Sequence, residues 1–277
     1  MQSIVERKAL VQVDLPEIFA KKNPRLAPYI PRFVYFYLNR ALHIQEINEI
    51  LDKHGDKLNY EFITATIKDF NVTTDFRSTE NLPENGRVIF AANHPLGGFD
   101  GMLMLKMLIE KYGSAQSISN DILLNLKNIQ GLFLPINKHG NQSFDVVENF
   151  DKVMKSDTTI LTFPAGLVSR RQGGVIRDVP WKKNFIAKSI QYRRDVIPVH
   201  ISGRCTDFFY NIARIRKFLG IRSNLEMFYL PDETFRHKNK HFTITIGPRF
   251  SWTHFDKSKK PVEWALDVQD FVYSMVK

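Results

Sequence analysis

The chain has 277 residues, of which 43% are hydrophobic and 25% are charged. These proportions exclude a disordered or fibrous protein, and the length suits one large domain or a domain with an added subdomain. The net charge of +10 favours a polyanionic partner, such as nucleic acid, an anionic membrane surface or an acidic carrier protein.

Strands and helices alternate along most of the chain. Residues 1–30 carry three prolines and predict an extended arm with at most one short helix. The hydrophobic pattern predicts helices over 31–51, 58–70, 101–112, 121–129, 143–154, 208–222 and 262–276, and strands over 88–92, 117–119, 132–136, 159–163, 196–201 and 242–246. This order predicts an α/β fold with a mainly parallel central sheet flanked by helices, preceded by an N-terminal helical segment. We expect residues 1–75 to form that segment and residues 76–277 to form the α/β domain. Pro198 lies inside one strand and indicates a sheet edge or a bulge.

The sequence predicts no membrane-spanning segment. Residues 1–7 lack the apolar core of a signal peptide, and no window reaches the ~20 apolar residues of a spanning helix. Two stretches, 31–51 and 208–222, are nevertheless rich in aromatic, apolar and basic residues. Each is consistent with a core helix or with a helix lying in an anionic lipid surface. The single cysteine, Cys205, suits a reducing compartment, so we expect a cytoplasmic protein peripherally associated with the cytoplasmic membrane.

The stretch from Phe90 to Gly101 carries the strongest chemical signal. A short apolar run ends in a polar, glycine-rich turn that holds His94 and Asp100. An imidazole beside a carboxylate can act as a general base, because the carboxylate fixes the tautomer and stabilises the imidazolium. The same residues also have plainer roles, His94 as a hydrogen-bonding loop residue and Asp100 as the N-cap of a helix that begins near Gly101. The pattern alone leaves both interpretations open.

Two further strands end in polar turns, at residues 164–174 and 202–207. The first turn contains adjacent arginines, which can hold a carboxylate or phosphate or can simply be solvated. In open α/β sheets, ligands bind beyond the carboxyl ends of the strands. If the three strands are parallel neighbours, their turns therefore converge on one site.

Taken together, these motifs resemble the lysophospholipid acyltransferase superfamily. Within it, they look like the branch of hemolysin-like proteins and the O-acyltransferases of ornithine and glycine lipids. The resemblance covers about residues 85–250. Its blocks are Asn93 to Asp100 (catalytic), Gly131 to Lys138 (second), Phe163 to Arg170 (acceptor-binding) and Val196 to Val199 (proline-bearing strand), with Trp181 to Lys188 matching the helix after the third block.

The resemblance implies a peripheral-membrane O-acyltransferase. Such an enzyme moves a fatty acyl group from acyl carrier protein or acyl-CoA to a hydroxyl of a lysolipid acceptor, either a lyso-aminolipid or one like lysophosphatidic acid. It implies that His94 is the base, that Asp100 orients it, and that no metal, other cofactor or nucleic acid takes part. The residues expected to bind the acceptor or the oxyanion are Asn93, Gly97, Gly98, Lys138, Phe163, Pro164, Gly166, Ser169, Arg170 and Arg171.

Two departures from the family pattern bear on the mechanism and the acceptor. Five residues separate His94 from Asp100, where the family has four, and the glycines at 97 and 98 can absorb the extra residue. In the third block, Ala165 and Leu167 replace the usual acid and hydroxyl residues. That change disfavours a glycerol phosphate acceptor and favours one whose polar head lacks phosphate.

Competing functions are a membrane-active, hemolysin-like protein without catalysis and a basic nucleic-acid- or anion-binding protein. Nucleic-acid binding calls for a clustered basic stripe, whereas the basic residues here are scattered. A serine hydrolase is excluded by the lack of a Gly-x-Ser-x-Gly motif. Cys205 has no neighbouring motif that would make it a catalytic thiol.

Overall fold

The computed structural model describes residues 13–22, 24–25, 27–119, 127–135, 144–221 and 223–276. The helices are α1 (Leu15–Lys22), α2 (Arg32–Ala41), α3 (Ile44–His54), α4 (Asn59–Asp69), α5 (Gly98–Tyr112), α6 (Phe144–Lys155), α7 (Asn184–Tyr192), α8 (Asp207–Phe218), α9 (Leu230–Phe235) and α10 (Pro261–Ser274). The strands are β1 (Thr73–Arg77), β2 (Ile89–Ala92), β3 (Ala115–Ser119), β4 (Phe133–Pro135), β5 (Thr159–Thr162), β6 (Arg170–Gln172), β7 (Val175–Arg177), β8 (Val196–Ile201) and β9 (His241–Ile246).

Seven of these strands form one central sheet in the order β1-β9-β8-β2-β5-β3-β4. Every neighbouring pair is parallel except β8 and β9. The remaining two strands, β6 and β7, form a separate antiparallel hairpin. The predicted α/β fold with a mainly parallel sheet is therefore confirmed.

The core lies on both faces of the sheet, because successive side chains of a strand point to opposite faces. In β2, Phe90 and Ala92 pack with apolar side chains of α4 and α5. Ile89 and Ala91 pack on the other face, with side chains of α7 and α10. Both faces of β2 are thus covered, which explains its continuous apolar sequence.

The predicted helix over residues 31–51 is wrong as a single element. It breaks into α2 and α3 at His43, whose φ of +52° is incompatible with a continuing helix. The His43 ring stacks on Phe235, and its two nitrogens lie 2.8 Å from Glu46 and 2.9 Å from Asp232. Contacts with the distant α9 segment therefore favour the break, and the local hydrophobic pattern does not report them.

Pro198 was predicted to mark a sheet edge or a bulge. The edge is wrong, since β8 lies between β9 and β2, whereas the irregular pairing with the β9 segment beside Pro198 fits the bulge. Proline has no backbone N–H to donate, and its lack is tolerated at Pro198 because the regular pairing with β9 ends beside this residue. The ladder between β8 and β9 ends at Ile246, Gly247 donates to the Pro198 carbonyl at 2.8 Å, and a single bridge joins Val196 to Phe250. A Cβ on Gly247 would lie 2.7 Å from the proline ring, so the crossing requires glycine.

Some elements have no counterpart in the sequence prediction. These are β1, which pairs with β9 from far along the chain, the β6–β7 hairpin and the short helix α9. Residues 121–126 of the predicted helix over 121–129 lie outside the described residues. The part of it that is described begins a 3₁₀ helix, Lys127–Leu132.

Candidate active site

The three polar turns do converge, because β8, β2 and β5 are parallel neighbours. The backbone N–H of Ser169 donates to the carbonyl of His94 at 2.8 Å, which joins the second turn to the first. The thiol of Cys205 donates to the carbonyl of Pro95 at 3.4 Å, which joins the third turn to the first. Burial raises the pKa of that thiol, so Cys205 has a structural role here.

Asn93 fixes the start of the loop that carries His94. Its side-chain amide donates to the carbonyl of Ile201 at 2.9 Å and accepts from the N–H of Ile201 at 2.6 Å. Both polar ends of this buried side chain are therefore used by β8. Asn93 was predicted to bind the acceptor or oxyanion, but in the structure its amide ties the loop to the sheet.

His94 and Asp100 form the predicted pair across the five-residue loop. Nδ1 of His94 lies 2.9 Å from Oδ2 of Asp100. A carboxylate can only accept, so Nδ1 carries the proton and Nε2 keeps its lone pair. The loop accommodates its extra residue at Gly97, whose φ is +73°, a conformation open to glycine.

Asp100 is not an N-cap, which corrects the alternative considered from the sequence. Helix α5 begins at Gly98 with Gly97 as its N-cap, so Asp100 lies inside the first turn. From there its Oδ2 also accepts the N–H of Leu96 at 2.9 Å. Asp100 thus closes the loop around His94 as well as holding the imidazole.

The Asp100 carboxylate is fully buried, with 0% of its surface exposed. Burial raises its pKa, the hydrogen bond from His94 opposes that rise, and the nearby Asp178 adds to it. Its other oxygen, Oδ1, has no hydrogen-bond partner among the described residues. A dry carboxylate of this kind interacts strongly with an imidazolium, because little water screens the pair.

Phe163 covers the imidazole from one side. Its ring stacks on that of His94 with centroids 4.3 Å apart and planes 26° apart. The turn that follows is closed by the N–H of Gly166, which donates to the carbonyl of Phe163 at 2.9 Å. This N–H is therefore already used, although Gly166 was predicted as an oxyanion donor. Pro164 is buried, and its carbonyl accepts from the N–H of Lys182.

The two arginines at the end of the third block differ in burial, and both are paired with acidic side chains. Arg170 is buried, pairs with Glu226 at 2.9 Å and lies over the ring of Phe209. Glu226 also pairs with Arg216 at 2.8 Å. Arg171 is exposed and pairs with Asp207. The expectation of two free guanidinium groups gripping an anion is therefore not met in this structure.

Asp178 is a site residue that the sequence analysis missed. Its Oδ1 accepts from the backbone N–H of His94 at 3.2 Å and from the hydroxyl of Ser169 at 2.6 Å. Its Oδ2 accepts from the indole N–H of Trp181 at 2.9 Å. No sequence pattern marks it, because it reaches His94 through the β6–β7 hairpin, across 84 positions of the chain.

The start of α5 presents backbone N–H groups beside the His94 loop. The first N–H groups of a helix have no acceptor within the helix, and Gly98, at the first position, is exposed. A Cβ at Gly98 would meet nothing within 4 Å, so there is free space beside this residue. Lys138 of the predicted set lies outside the described residues.

An exposed apolar surface lies beside this site; we call it the aromatic surface. It consists of Tyr29, Phe33, Phe36 and Tyr37 from the α2 region together with Phe208, Ile215, Phe218, Leu219 and Phe228 from the α8 region. The two groups meet at Tyr229, whose hydroxyl bonds that of Tyr37 and whose ring packs edge-on against Phe208.

The helices of the two amphipathic stretches differ in burial. No residue of α2 is buried, whereas α3, in the second part of the stretch 31–51, buries Ile44 and Leu51 and therefore contributes to the core. Helix α8 has two faces, with Phe209 and Ala213 in the core and Phe208 and Ile215 outside. None of the helices that the structure describes has the length and apolar character needed to traverse a bilayer.

The site thus places an imidazole, paired with a carboxylate, at the carboxyl edge of a mainly parallel sheet, where ligands bind in α/β proteins. Comparison with known proteins gives the particular family. The family model described as "Acyltransferase" matches residues 17–270. The chain therefore belongs to the acyltransferase family and is an enzyme that transfers acyl groups.

Individual relatives cover nearly the whole chain. The lyso-glycine lipid O-acyltransferase of Bacteroides thetaiotaomicron is 45% identical over 268 residues, which are 96% of this chain and 98% of that protein. A protein of the same name from Phocaeicola vulgatus is 44% identical over 95% of each chain. The crystal structure of the 1-acyl-sn-glycerophosphate acyltransferase PlsC from Thermotoga maritima has the same fold, with a TM-score of 0.50 and 16% identity over 94% of this chain and 95% of that one.

Proposed function

We propose that this protein transfers a fatty acyl group from a thioester to a hydroxyl of a lyso-glycine lipid. The acceptor is proposed from the two relatives, whose identity of 45% and 44% extends over almost the full length. The chemistry rests on one observation, the 2.9 Å contact between Nδ1 of His94 and Oδ2 of Asp100. This contact leaves Nε2 of His94 as the base.

In the proposed reaction, Nε2 of His94 takes the proton of the acceptor hydroxyl while the hydroxyl oxygen attacks the thioester carbonyl. A C–O bond forms, and the carbonyl oxygen becomes an oxyanion. The C–S bond then breaks, and the leaving thiolate receives the proton from His94. Asp100 holds the Nδ1 proton throughout and stabilises the imidazolium. A positioned base of this kind contributes ~10²–10⁴ in rate.

The third block supports an acceptor without phosphate. Phosphate is commonly held by a guanidinium that is free to bind in a bidentate manner. Here Arg170 is buried against Glu226, and Arg171 is paired with Asp207. Ala165 supplies no polar side chain to the turn. Lysophosphatidic acid is therefore the second candidate acceptor.

We also propose that the enzyme works while bound to an anionic membrane surface. The aromatic surface adjoins the site, because Leu230 follows Tyr229 and a Cβ on Gly97 would lie 3.3 Å from the side chain of Leu230. Exposed basic residues, among them Arg32, Arg40, Arg214 and Lys217, accompany the aromatic side chains. Aromatic and basic groups side by side suit insertion into the interface of an anionic bilayer.

The acceptor and the donor can be tested together with purified protein on anionic vesicles. Vesicles containing lyso-glycine lipid or lysophosphatidic acid would be supplied with acyl carrier protein or CoA thioesters, and products read by mass spectrometry. We expect diacylated glycine lipid as the main product, and His94→Ala as the control should form none above background. Preferred acylation of lysophosphatidic acid would overturn the proposed acceptor, and activity of His94→Ala equal to the parent's would overturn the mechanism.

A further inference from the structure

Asp178 is a buried acid that the two-residue mechanism does not use. It follows β7 and precedes the turn that leads into α7, and its side chain is 1% exposed. Its backbone is fixed from α10, since its N–H donates to the hydroxyl of Tyr273 at 2.7 Å and its carbonyl accepts from Gln269 at 3.2 Å. Placing a carboxylate here is costly unless its oxygens are satisfied.

Both oxygens of Asp178 act as acceptors. The backbone N–H of His94 donates to Oδ1, and the indole N–H of Trp181 donates to Oδ2. These two N–H groups can only donate, so neither could accept a hydrogen bond from a protonated Asp178. The hydroxyl of Ser169 adds a third hydrogen bond, to Oδ1. Burial, the largest influence, raises the pKa of Asp178 above its ordinary value, and these hydrogen bonds and the nearby His94 limit that rise. The three donated hydrogen bonds stabilise the charged form of the carboxyl group against the cost of its burial.

The contacts form a closed ring around the backbone of His94. His94 donates its N–H to Asp178, Ser169 donates its hydroxyl to Asp178, and the N–H of Ser169 donates to the carbonyl of His94. Asp100 contacts the side chain of His94, at Nδ1 of the ring. The imidazole is therefore fixed both through its ring and through its main chain.

We propose that Asp178 is a positioning residue for acyl transfer, which fixes the main chain of His94 and adds a second negative charge that stabilises the imidazolium. This inference rests on the proposed general-base function of His94. A nearby anion stabilises the imidazolium that forms when the imidazole takes up the proton of the acceptor. Loss of the Asp178 charge should therefore slow proton transfer to His94 and leave substrate binding unchanged.

Asp178→Asn removes the charge with little change of shape. We would make this substitution in a Trp181→Phe background and compare the double variant Trp181→Phe/Asp178→Asn with Trp181→Phe alone. The Phe background removes the indole N–H, which would otherwise face the new amide NH₂. From the single to the double variant we expect kcat to fall by at least ~10-fold while KM stays within about twofold. KM should hold because the buried carboxylate is closed to substrate.

Several results would overturn the inference. One is an unchanged kcat, and another is a rise in KM alone. If Trp181→Phe folds and the double variant does not, the carboxylate of Asp178 is needed for folding and its assignment as a positioning residue is wrong. Should Trp181→Phe itself not fold, Asp178→Asn against the parent tests the same loss of charge, with the amide NH₂ facing the indole N–H. Failure of the proposed function is distinct, because the parent would then transfer no acyl group.

Discussion

The cluster around His94 and the aromatic surface adjoin each other but are built in opposite ways. In the cluster, Asp100 is fully buried and Asp178 nearly so, and each accepts hydrogen bonds from named donors. On the aromatic surface, Phe33 and Phe36 are each 72% exposed and Phe218 is 89% exposed. One region holds charge away from water, whereas the other holds apolar groups in water.

This difference separates two requirements of the proposed reaction. Proton transfer needs a base held in one orientation, and buried polar networks provide that because a misplaced group leaves another unsatisfied. Meeting a lipid needs exposed apolar area rather than a fixed geometry. Variants in the first region should therefore change kcat, and variants in the second should change the amount of enzyme on the membrane.

The largest effect is expected for His94→Ala. Removing the base should lower kcat by ~10²–10⁴. Vesicle binding should be unchanged, because the aromatic surface is left intact. Turnover of acyl thioester with lyso-glycine lipid, beside flotation of the same protein, checks both expectations. Parent-like turnover by a folded His94→Ala protein would show that another group is the base.

Asp100→Asn should lower kcat by ~10²–10³, a smaller loss than the ~10⁴ of the hydrolase triad because His94 is partly exposed. The amide can present its NH₂ to Nδ1 of His94 and so favour the tautomer that carries the proton on Nε2, which is not a base. If kcat stayed at the parent value, Asp100 would be a loop-closing residue only.

The same variant has a stability signature. Because burial raises the pKa of Asp100, the folded state binds the proton of this carboxyl group more readily than the unfolded state does. The contribution of Asp100 to the free energy of unfolding therefore falls as the pH rises from the unfolded-state pKa through the higher folded-state pKa. At neutral pH, Asp100→Asn should therefore melt at or above the parent temperature. The difference should shrink toward pH 3, where the carboxyl is protonated in both states. Melting well below the parent at neutral pH would contradict this sign.

The parts of the site that the sequence predicts are local or follow from topology. His94 and Asp100 lie six positions apart, and a strand followed by a helix limits where they can lie. The convergence of the three turns follows from the rule for parallel sheets, once the strands are neighbours. Those expectations needed no knowledge of contacts between distant segments.

The parts that could not be predicted depend on such contacts. Asp178 meets His94 across 84 positions, and Arg170 meets Glu226 across 56. In sequence, Arg170 and Arg171 look alike, yet one is buried and the other exposed, because β6 alternates its side chains between the protein and solvent. Likewise, an amphipathic pattern does not reveal that α2 has no buried residue, since that depends on what packs beside it.

The aromatic surface is tested by replacing Phe33 and Phe36 together with serine. Burying one such side chain contributes roughly 1.5–3 kcal/mol, so the pair should lower partitioning onto vesicles by at least about 10². Val147→Ser, at a position of α6 that is 48% exposed, is the control for losing an exposed apolar side chain elsewhere and should bind like the parent. Flotation with phosphatidylglycerol vesicles measures both. If the double variant bound the vesicles as well as the parent, α2 would not be part of the membrane contact.

The smallest effect is expected for the basic residues beside the aromatic surface. Arg214 and Lys217 are exposed on α8, next to Ile215 and Phe218. Each basic residue near an anionic surface contributes about 1 kcal/mol, so Arg214→Gln/Lys217→Gln should weaken binding by roughly 30-fold at low salt. At ~1 M salt the Debye length is about 3 Å, and the difference from the parent should largely disappear.

The aromatic and basic variants can thus be told apart by salt. Apolar insertion is not screened, so Phe33→Ser/Phe36→Ser should bind less than the parent at low and at high salt alike. Arg214→Gln/Lys217→Gln should differ from the parent at low salt only, and only with anionic vesicles. If instead the basic variant lost binding equally on phosphatidylcholine vesicles, the two residues would act through the packing of α8, and attraction to anionic lipid would not explain the positive charge there.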